Sequence, residues 1–145
     1  MNDKEIDIAA VESIIGYNFK DKKLLKTALT HSSYANERML ENYERLEYLG
    51  DSVLGFFAAE FLYRKTNGAE GNLTEERKGI VSEKALVKIS ESLGFPAIML
   101  NRLQDEPSAK VKSDLVESMI AAVYLDGGIE AARKFFDNKL IVSLN

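Results

Sequence analysis

Three carboxylates stand at helical spacing in the segment 42–54. Glu44, Glu47 and Asp51 are three and four residues apart, and in an α-helix this spacing brings them onto one face because about 3.6 residues make a turn. Through residues 55–63, apolar residues occupy every side of the same predicted helix, which is the pattern of a helix buried all round. Like charges at this spacing repel each other and are costly to bury beside a core. A cation that compensates them is therefore expected.

A second pair of acids, Asp114 and Glu117, lies more than sixty residues downstream. The helix predicted around this pair is also apolar over most of its circumference, through Leu115, Val116, Met119, Ile120, Val123 and Tyr124. If the two acidic stripes face each other, Glu47, Asp51, Asp114 and Glu117 form an oxygen cage suited to a hard divalent cation. Magnesium in such a cage can lower the pKa of a bound water and polarise a phosphoryl oxygen, which is the chemistry of phosphodiester hydrolysis.

Two other interpretations of the acids stay open at this stage. Acids three and four residues apart on a helix also form ordinary solvated faces. Alternatively, Arg45 could pair with one acid and Lys110 or Lys112 with another, which would make a structural ion-pair network instead of a metal site. Spacing alone does not choose among the three.

Composition restricts the kind of metal site that this chain can build. The 145 residues include no cysteine and a single histidine, His31, so thiolate sites and sites with several imidazole ligands are excluded. A bound metal must therefore take oxygen ligands, which favours Mg²⁺ or Mn²⁺ over zinc or copper. His31 itself is expected to form structural hydrogen bonds instead of acting as a general base.

Charge and hydropathy restrict the class of protein further. The net charge of −4 and the pI near 5.1 argue against a protein that grips nucleic acid by bulk positive charge. A nucleic-acid enzyme with this charge would need metal ions, local basic patches, a dimer groove or a separate basic module. The sequence contains neither a run of about 18 apolar residues nor a signal peptide. We therefore expect a soluble cytoplasmic protein with no membrane segment.

Apolar periodicity and capping residues predict an all-α fold, a compact bundle of six or so helices. The first helix ends near Gly16, and Asp21 is the expected N-cap of the second. The central helix is predicted from about Asn42 to Thr66. Asn72 and Glu75 are read as a capping box that opens a fourth helix extending to Leu93. The last two helices are predicted over 110–125 and 129–140, separated by Asp126, Gly127 and Gly128.

The segment 43–54, with the sequence YERLEYLGDSVL, closely resembles the signature of the ribonuclease III family of nucleases specific for double-stranded RNA. Further segments resemble family blocks in family order: 19–25, 30–34, 70–74, 114–118 and 122–128. The resemblance thus covers essentially the whole chain. One departure is Tyr43, because in many bacterial members an Asn precedes the first glutamate of the signature. This position is not a predicted metal ligand.

The resemblance implies roles for six acids. Glu47, Asp51, Asp114 and Glu117 are expected to ligate the catalytic Mg²⁺, for which Mn²⁺ could substitute, directly or through water. Glu44 and Glu70 match positions at the edge of the family's site, in RNA handling, outer-shell contacts or the dimer interface. Glu60 is expected to be paired or at an edge, and the nearby aromatic residues Phe56, Phe57, Phe61 and Tyr63 to be core or dimer contacts.

The resemblance also implies an architecture and a reaction. Residues 1–145 are interpreted as one endonuclease domain that forms a homodimer, in which each active site cuts one strand. The products would carry 5′-phosphate and 3′-hydroxyl ends with short 3′ overhangs. No double-stranded-RNA-binding domain is identified in this chain, which is read as either an excised domain or a natural short form. The alternative function is a catalytically inactive relative that serves as an RNA-binding or dimerisation module. A purely structural helical protein is a third hypothesis.

Overall fold

A computed structural model describes residues 4–145. In this range the α-helices are α1 (Ile8–Ile15), α2 (Lys22–Ala28), α3 (Ser32–Ala35), α4 (Glu44–Lys65), α5 (Glu70–Val81), α6 (Glu83–Ser92), α7 (Phe95–Ile98) and α8 (Ala109–Phe135). A 3₁₀ turn follows α3 at Asn36–Arg38, and a π-helical turn (Phe136–Leu140) and a second 3₁₀ turn (Val142–Leu144) follow α8. The only β-structure in the described range is an isolated bridge between Thr30 and Leu100. The predicted all-α class is confirmed.

Helices α4 and α8 form the most extensive helix pair of the fold. They approach so closely at Gly50 that a Cβ atom built there would lie 1.7 Å from the backbone oxygen of Glu117. Farther along the pair, Phe57 of α4 packs against Phe136, with ring centroids 5.8 Å apart. The two helices that carry the predicted acids are therefore in direct contact.

Local capping explains the two helices at the start of the chain. Asp7 caps α1 by accepting a hydrogen bond from the Ala10 amide at 3.1 Å, and Asp21 caps α2 by accepting one from the Lys23 amide at 2.9 Å. Gly16 ends α1 in the left-handed region, with φ 74°, which a glycine adopts without strain. The predicted end of the first helix and the predicted start of the second are confirmed.

The predicted fourth helix is wrong at its start and in its continuity. Helix α5 begins at Glu70, so Asn72 lies inside it and forms no capping box. Ser82 then divides the segment, because its backbone is extended, with ψ 156°, and its Oγ accepts a hydrogen bond from the Ala85 amide at 3.2 Å. A serine side chain that bonds the nearby backbone competes with helix continuation. Apolar periodicity runs across this break and so conceals it.

The prediction that α4 is buried all round is also wrong. The side chains of Tyr48, Phe56 and Tyr63 are 82%, 51% and 77% exposed, respectively. Helix α4 packs against α8 and α5, which leaves an open side. Apolar character on every side of a helix cannot tell a core neighbour from a surface left for another partner. By contrast, α8 is deeply buried from Leu115 to Val123 apart from Glu117, as predicted.

The predicted boundary at 126–128 corresponds to a kink within α8. Gly128 has φ 85° and ψ −178°, which interrupts the helical backbone. The carboxylate of Asp126 accepts hydrogen bonds from the Tyr17 hydroxyl at 2.6 Å and from the amides of Lys20 and Asp21 at 2.7 and 2.9 Å. These bonds attach the region of the kink to the segment between α1 and α2.

Within residues 4–145, no helix combines the length and the apolar character needed to cross a lipid bilayer.

Candidate metal centre

Three of the four predicted ligands form a cluster at the contact of α4 with α8. Carboxylate oxygens of Glu47, Asp114 and Glu117 all lie within 4.8 Å of one another. Asp114 is buried, with 4% of its surface exposed, while Glu47 and Glu117 are half-buried. The two helices can approach this closely because residue 50 is a glycine. Any side chain at this position would collide with the Glu117 backbone.

The fourth predicted ligand, Asp51, lies at the border of this cluster. It stands one turn after Glu47 on α4, is exposed, and contributes to the raised pKa of the Glu117 carboxyl group. Its oxygens are not among those within 4.8 Å of all the others. The structure therefore groups Glu47, Asp114 and Glu117, with Asp51 beside Glu117 on the solvent side.

Electrostatics at the cluster show an excess of negative charge. Burial, the hydrogen bond with Asp51 and the charges of Asp51, Glu47 and Asp114 raise the pKa of Glu117 to about 8. Burial and the neighbouring Asp114 also raise the pKa of Glu47, although Lys110 opposes this shift. Raised carboxyl pKa values mean that burial first, and the neighbouring acids second, disfavour the ionised forms. A divalent cation would supply the missing charge.

Lys110 provides partial compensation. Its Nζ lies 3.0 and 3.2 Å from the two Asp114 carboxylate oxygens and 3.6 Å from Glu47 Oε1. The hydrogen bond to Asp114 is the main cause of the raised pKa of Lys110. The other bases proposed for an ion-pair network do not join it. Lys112 pairs with Glu91 at 2.9 Å, and within residues 4–145 no ion pair is found between Arg45 and these acids.

Tyr43 is a site residue that sequence reasoning missed. Its hydroxyl donates a hydrogen bond to Asp114 Oδ2 at 3.1 Å, and the residue is 3% exposed. Its carbonyl accepts from the Glu47 amide at 2.8 Å in the first turn of α4. From the sequence, residue 43 stands out only as a departure from the family's usual Asn. A tyrosine directly before an acidic helix start was the available signal.

The two predicted edge residues lie apart from the cluster. Glu44 is exposed, one turn before Glu47, and its charge acts on the pKa values of His31 and Tyr43. Glu70 is exposed at the first position of α5. Among the described residues, no hydrogen bond or ion pair connects its side chain to the clustered acids. Within residues 4–145, the structure thus keeps Glu44 near the site and shows no bond from the Glu70 side chain to the clustered acids.

His31 has the contacts of a structural residue, as expected. Its Nδ1 lies 2.8 Å from Ser33 Oγ and accepts the Ser33 amide at 3.1 Å, which caps α3. Its ring meets the Tyr43 ring edge-on, with centroids 5.8 Å apart. Burial lowers the pKa of His31, against the opposing charges of Glu44 and Asp114.

The donor set fits Mg²⁺ or Mn²⁺. The clustered atoms are all carboxylate oxygens, which hard divalent cations prefer. Two of the three carboxylates have raised pKa values, so a bound cation would stabilise ionised forms that burial and the neighbouring acids disfavour.

Comparison with known proteins decides the family. A family model described as Ribonuclease-III-like matches residues 21–144. The chain belongs to the ribonuclease-III-like family. Ribonuclease 3 of Agrobacterium fabrum is 42% identical over 135 residues, which cover 89% of this chain and 56% of that protein. Ribonuclease 3 of Rhizobium meliloti is 41% identical over 135 residues, which again cover 89% of this chain and 56% of that protein. The chain thus spans little more than half the length of these relatives.

Solved structures of this family have the same fold. The nuclease domain of ribonuclease III from Campylobacter jejuni superposes with a TM-score of 0.87 at 34% identity, over 94% of this chain and 98% of that one. Dicer from Pichia stipitis gives a TM-score of 0.66 at 28% identity, over 87% of this chain and 56% of that one. The fold predicted from the resemblance, that of the ribonuclease III endonuclease domain, is confirmed.

Proposed function

We propose that this ribonuclease-III-like chain is a metal-dependent endoribonuclease that hydrolyses phosphodiester bonds of double-stranded RNA. The observation that carries the proposal is the cluster of Glu47, Asp114 and Glu117 at the contact of α4 with α8, where burial and neighbouring acids disfavour ionised carboxylates that a cation would stabilise. The family match and the nuclease-domain fold support the same reaction. An inactive relative would be expected to lose such acids, whereas this chain retains them.

The proposed ligands of Mg²⁺ are Glu47, Asp114 and Glu117, with Asp51 contributing from the border, directly or through water. When bound, the ion supplies an activated water and stabilises charge on the phosphoryl oxygens and the leaving oxygen. The carboxylates hold the ion, and the buried side of Asp114 keeps bulk water away from that part of the site. Glu44 and Glu70 are proposed for RNA handling or outer-shell contacts.

The proposed enzyme is a homodimer of one endonuclease domain, residues 1–145. Two copies with one site each would cut opposite strands and leave 5′-phosphate and 3′-hydroxyl ends with short 3′ overhangs. Exposed apolar side chains support this assembly: Met39, Leu40, Tyr48 and Leu125 all lie on the surface. Leu40, Tyr48 and Leu125 line a groove of about 960 Å³ together with Leu24 and Leu49. The C. jejuni nuclease domain is itself described as having a flexible region involved in dimer formation.

Cleavage of a defined duplex tests the proposal. The protein is incubated at low salt with a long double-stranded RNA carrying a label at each 5′ end, with Mg²⁺, with Mn²⁺ or with a chelator. Short duplexes that appear only with metal, and whose new ends accept a 5′-phosphate-dependent ligation, are the expected result. Single-stranded RNA of the same sequence is the control.

Three outcomes would count against the proposal in different ways. Intact RNA at high enzyme concentration, together with tight duplex binding, would favour the inactive RNA-binding module. Cleavage in chelator would exclude the metal site. Equal cleavage of the single strand would exclude double-stranded RNA as the substrate class.

A further inference from the structure

The Tyr43 hydroxyl is a buried polar group that lies against the acidic cluster. It donates to Asp114 Oδ2 at 3.1 Å, and only 3% of the residue is exposed. A hydroxyl taken from water needs a partner of this kind, since burial without one is destabilising. The pairing places a neutral donor on the most deeply buried of the clustered carboxylates.

The backbone of Tyr43 is attached to the other acidic helix. Its carbonyl accepts the Glu47 amide at 2.8 Å, and its own amide donates to the Thr30 carbonyl at 3.0 Å. The ring is also held edge-on against His31. Tyr43 therefore bonds through its carbonyl to the Glu47 amide of α4 and through its hydroxyl to the Asp114 carboxylate of α8.

The second donor to Asp114 is less constrained. Lys110 reaches both Asp114 oxygens, but 69% of its side chain is exposed. A long, exposed lysine side chain samples several rotamers, whereas a buried tyrosine has two side-chain torsions and here has contacts on each side. Of the two donors to Asp114, Tyr43 is thus the more constrained.

We propose that Tyr43 is a positioning residue that orients the Asp114 carboxylate towards Glu47 and Glu117 for metal binding. The proposal rests on the proposed function, because it gives Tyr43 a role through a proposed metal ligand. Hydrogen bonds that orient a ligand in this way affect metal affinity about 10- to 100-fold when they are removed.

A second tyrosine–aspartate hydrogen bond, whose aspartate also lies on α8, provides a matched control. The Tyr17 hydroxyl donates to Asp126 at 2.6 Å, and Asp126 lies beside the kink of α8 at Gly128, outside the acidic cluster. Tyr17→Phe therefore removes a tyrosine–aspartate hydrogen bond without touching the proposed metal site. Tyr43→Phe removes the equivalent bond at the site. Both changes keep the aromatic ring.

The experiment titrates Mg²⁺ and Mn²⁺ into the wild-type protein, Tyr43→Phe and Tyr17→Phe, and follows the melting temperature without RNA. The metal concentration that gives half of the maximal rise should be about tenfold higher for Tyr43→Phe than for the wild type. Tyr17→Phe should melt at a lower temperature but keep the wild-type midpoint. In RNA cleavage, Tyr43→Phe should need correspondingly more Mg²⁺ and recover near wild-type kcat at saturation.

The outcomes separate this inference from the proposed function. A wild-type protein whose melting temperature does not respond to either metal would overturn the metal site itself. A metal-responsive wild type with an unchanged midpoint in Tyr43→Phe would overturn only the role of Tyr43. Equal shifts in Tyr43→Phe and Tyr17→Phe would also overturn it, because a general loss of stability would then explain both.

If Tyr43→Phe does not fold, the wild-type protein carries the test. Fluorotyrosine is incorporated, and the ¹⁹F signal of Tyr43 is assigned by elimination with Phe variants of the other five tyrosines. Metal should shift the Tyr43 signal and leave that of Tyr17 in place. A Tyr43 signal that does not respond to metal would overturn the inference.

Discussion

Helices α4 and α8 bring carboxylates together at two places along their contact, and the two places differ in their balance of charge. In the acidic cluster, Glu47 of α4 meets Asp114 and Glu117 of α8. Lys110 is the base that pairs with these acids among residues 4–145. Here several negative charges share a single positive one.

Four turns of α4 farther on, the acids are fully paired. Glu60 accepts a hydrogen bond from Arg133 of α8 at 3.0 Å and is 3.5 Å from Arg64 of its own helix. Arg133 also pairs with Glu130. Two arginines therefore face two glutamates, as expected of an ion-pair network, and Glu60 is paired as the sequence indicated.

The pKa shifts at the two places have opposite signs. The hydrogen bond from Arg133 lowers the pKa of Glu60, whereas burial and neighbouring acids raise that of Glu117 to about 8. Acids on facing helices thus do not by themselves indicate a metal site. A deficit of positive charge around buried acids favours binding of a cation, because the cation then stabilises ionised carboxylates that burial and neighbouring acids disfavour.

The largest expected effect is on catalysis. Glu117→Gln keeps the shape of the side chain but removes its charge, and we expect duplex cleavage to fall by about 1,000-fold, roughly 4 kcal/mol of barrier. Glu60→Gln, the matched change at the paired site, should leave cleavage within about threefold of wild type. Initial rates on labelled duplex RNA give both values. Similar losses in the two variants would remove the distinction between the two places.

The next effect concerns the contact that creates the cluster. Gly50→Ala places a Cβ against the Glu117 backbone, and overpacking of this kind should lower the free energy of unfolding by about 3 kcal/mol. In helix α5, Gly79 has nothing within 4 Å of its hypothetical Cβ, so Gly79→Ala should be neutral or stabilising by up to about 1 kcal/mol. Urea denaturation measures both. A tolerated Gly50→Ala would mean that the helices need not touch there.

Metal should stabilise the folded protein through the acidic cluster alone. At a Mg²⁺ concentration of 100 times Kd, the gain is about 2.7 kcal/mol, which thermal melting detects as a rise of several degrees. Glu117→Gln should lose most of this rise, and Glu60→Gln should retain it. Retention of the full rise in Glu117→Gln would place the metal elsewhere.

The smallest effect is a gain of stability without metal. The folded-state pKa of Glu117, about 8, lies above its ordinary value of 4.5, so between these values the native state binds more protons than the unfolded state. Its contribution to stability therefore decreases as the pH rises from 4.5 to 8. In chelator at pH 8, the free energy of unfolding of Glu117→Gln should exceed that of wild type by about 1 kcal/mol. This value is reduced to allow for the partial exposure of the side chain.

At Glu60, stability should depend on pH with the opposite sign. Because its pKa is lowered, Glu60 contributes stability above its ordinary pKa and loses that contribution as the pH falls through its folded-state pKa. Glu60→Gln should therefore be less stable than wild type at neutral pH and approach it in acid. Denaturation at a series of pH values compares the two variants. Equal signs for both would contradict the difference in charge balance.

Much of the fold was predictable from local patterns. The end of α1 at Gly16, the cap of α2 at Asp21 and the interruption near Gly128 each depend on one residue's backbone or side-chain preference. The break at Ser82 was missed because the apolar period continues through it. The exposure of Tyr48 was missed because a helical pattern shows which residues are apolar and not what covers them.

The candidate site, like the fold, was predictable only in part. Glu47, Asp114 and Glu117 were predictable because helical spacing and the family signature select acids along the chain, and the structure brings these three together. Neither source indicated that Tyr43 would bond to Asp114 or that Lys110, of the candidate bases, would pair with the cluster. The contacts of Tyr43 with Asp114 and of Lys110 with Glu47 join residues distant in sequence, so they depend on how the helices meet. Lys110 and Asp114, by contrast, are four residues apart on α8.

The sequence by itself determined the all-α class, the family and the acids available for a metal, because helix formation and residue type are local properties. Only the tertiary structure decided that Asp51 lies at the border, that Tyr43 contacts Asp114, and that one acidic region is short of positive charge while the other is paired. These outcomes follow from the crossing of α4 and α8 at Gly50, which sets the distances between side chains and hence their repulsion.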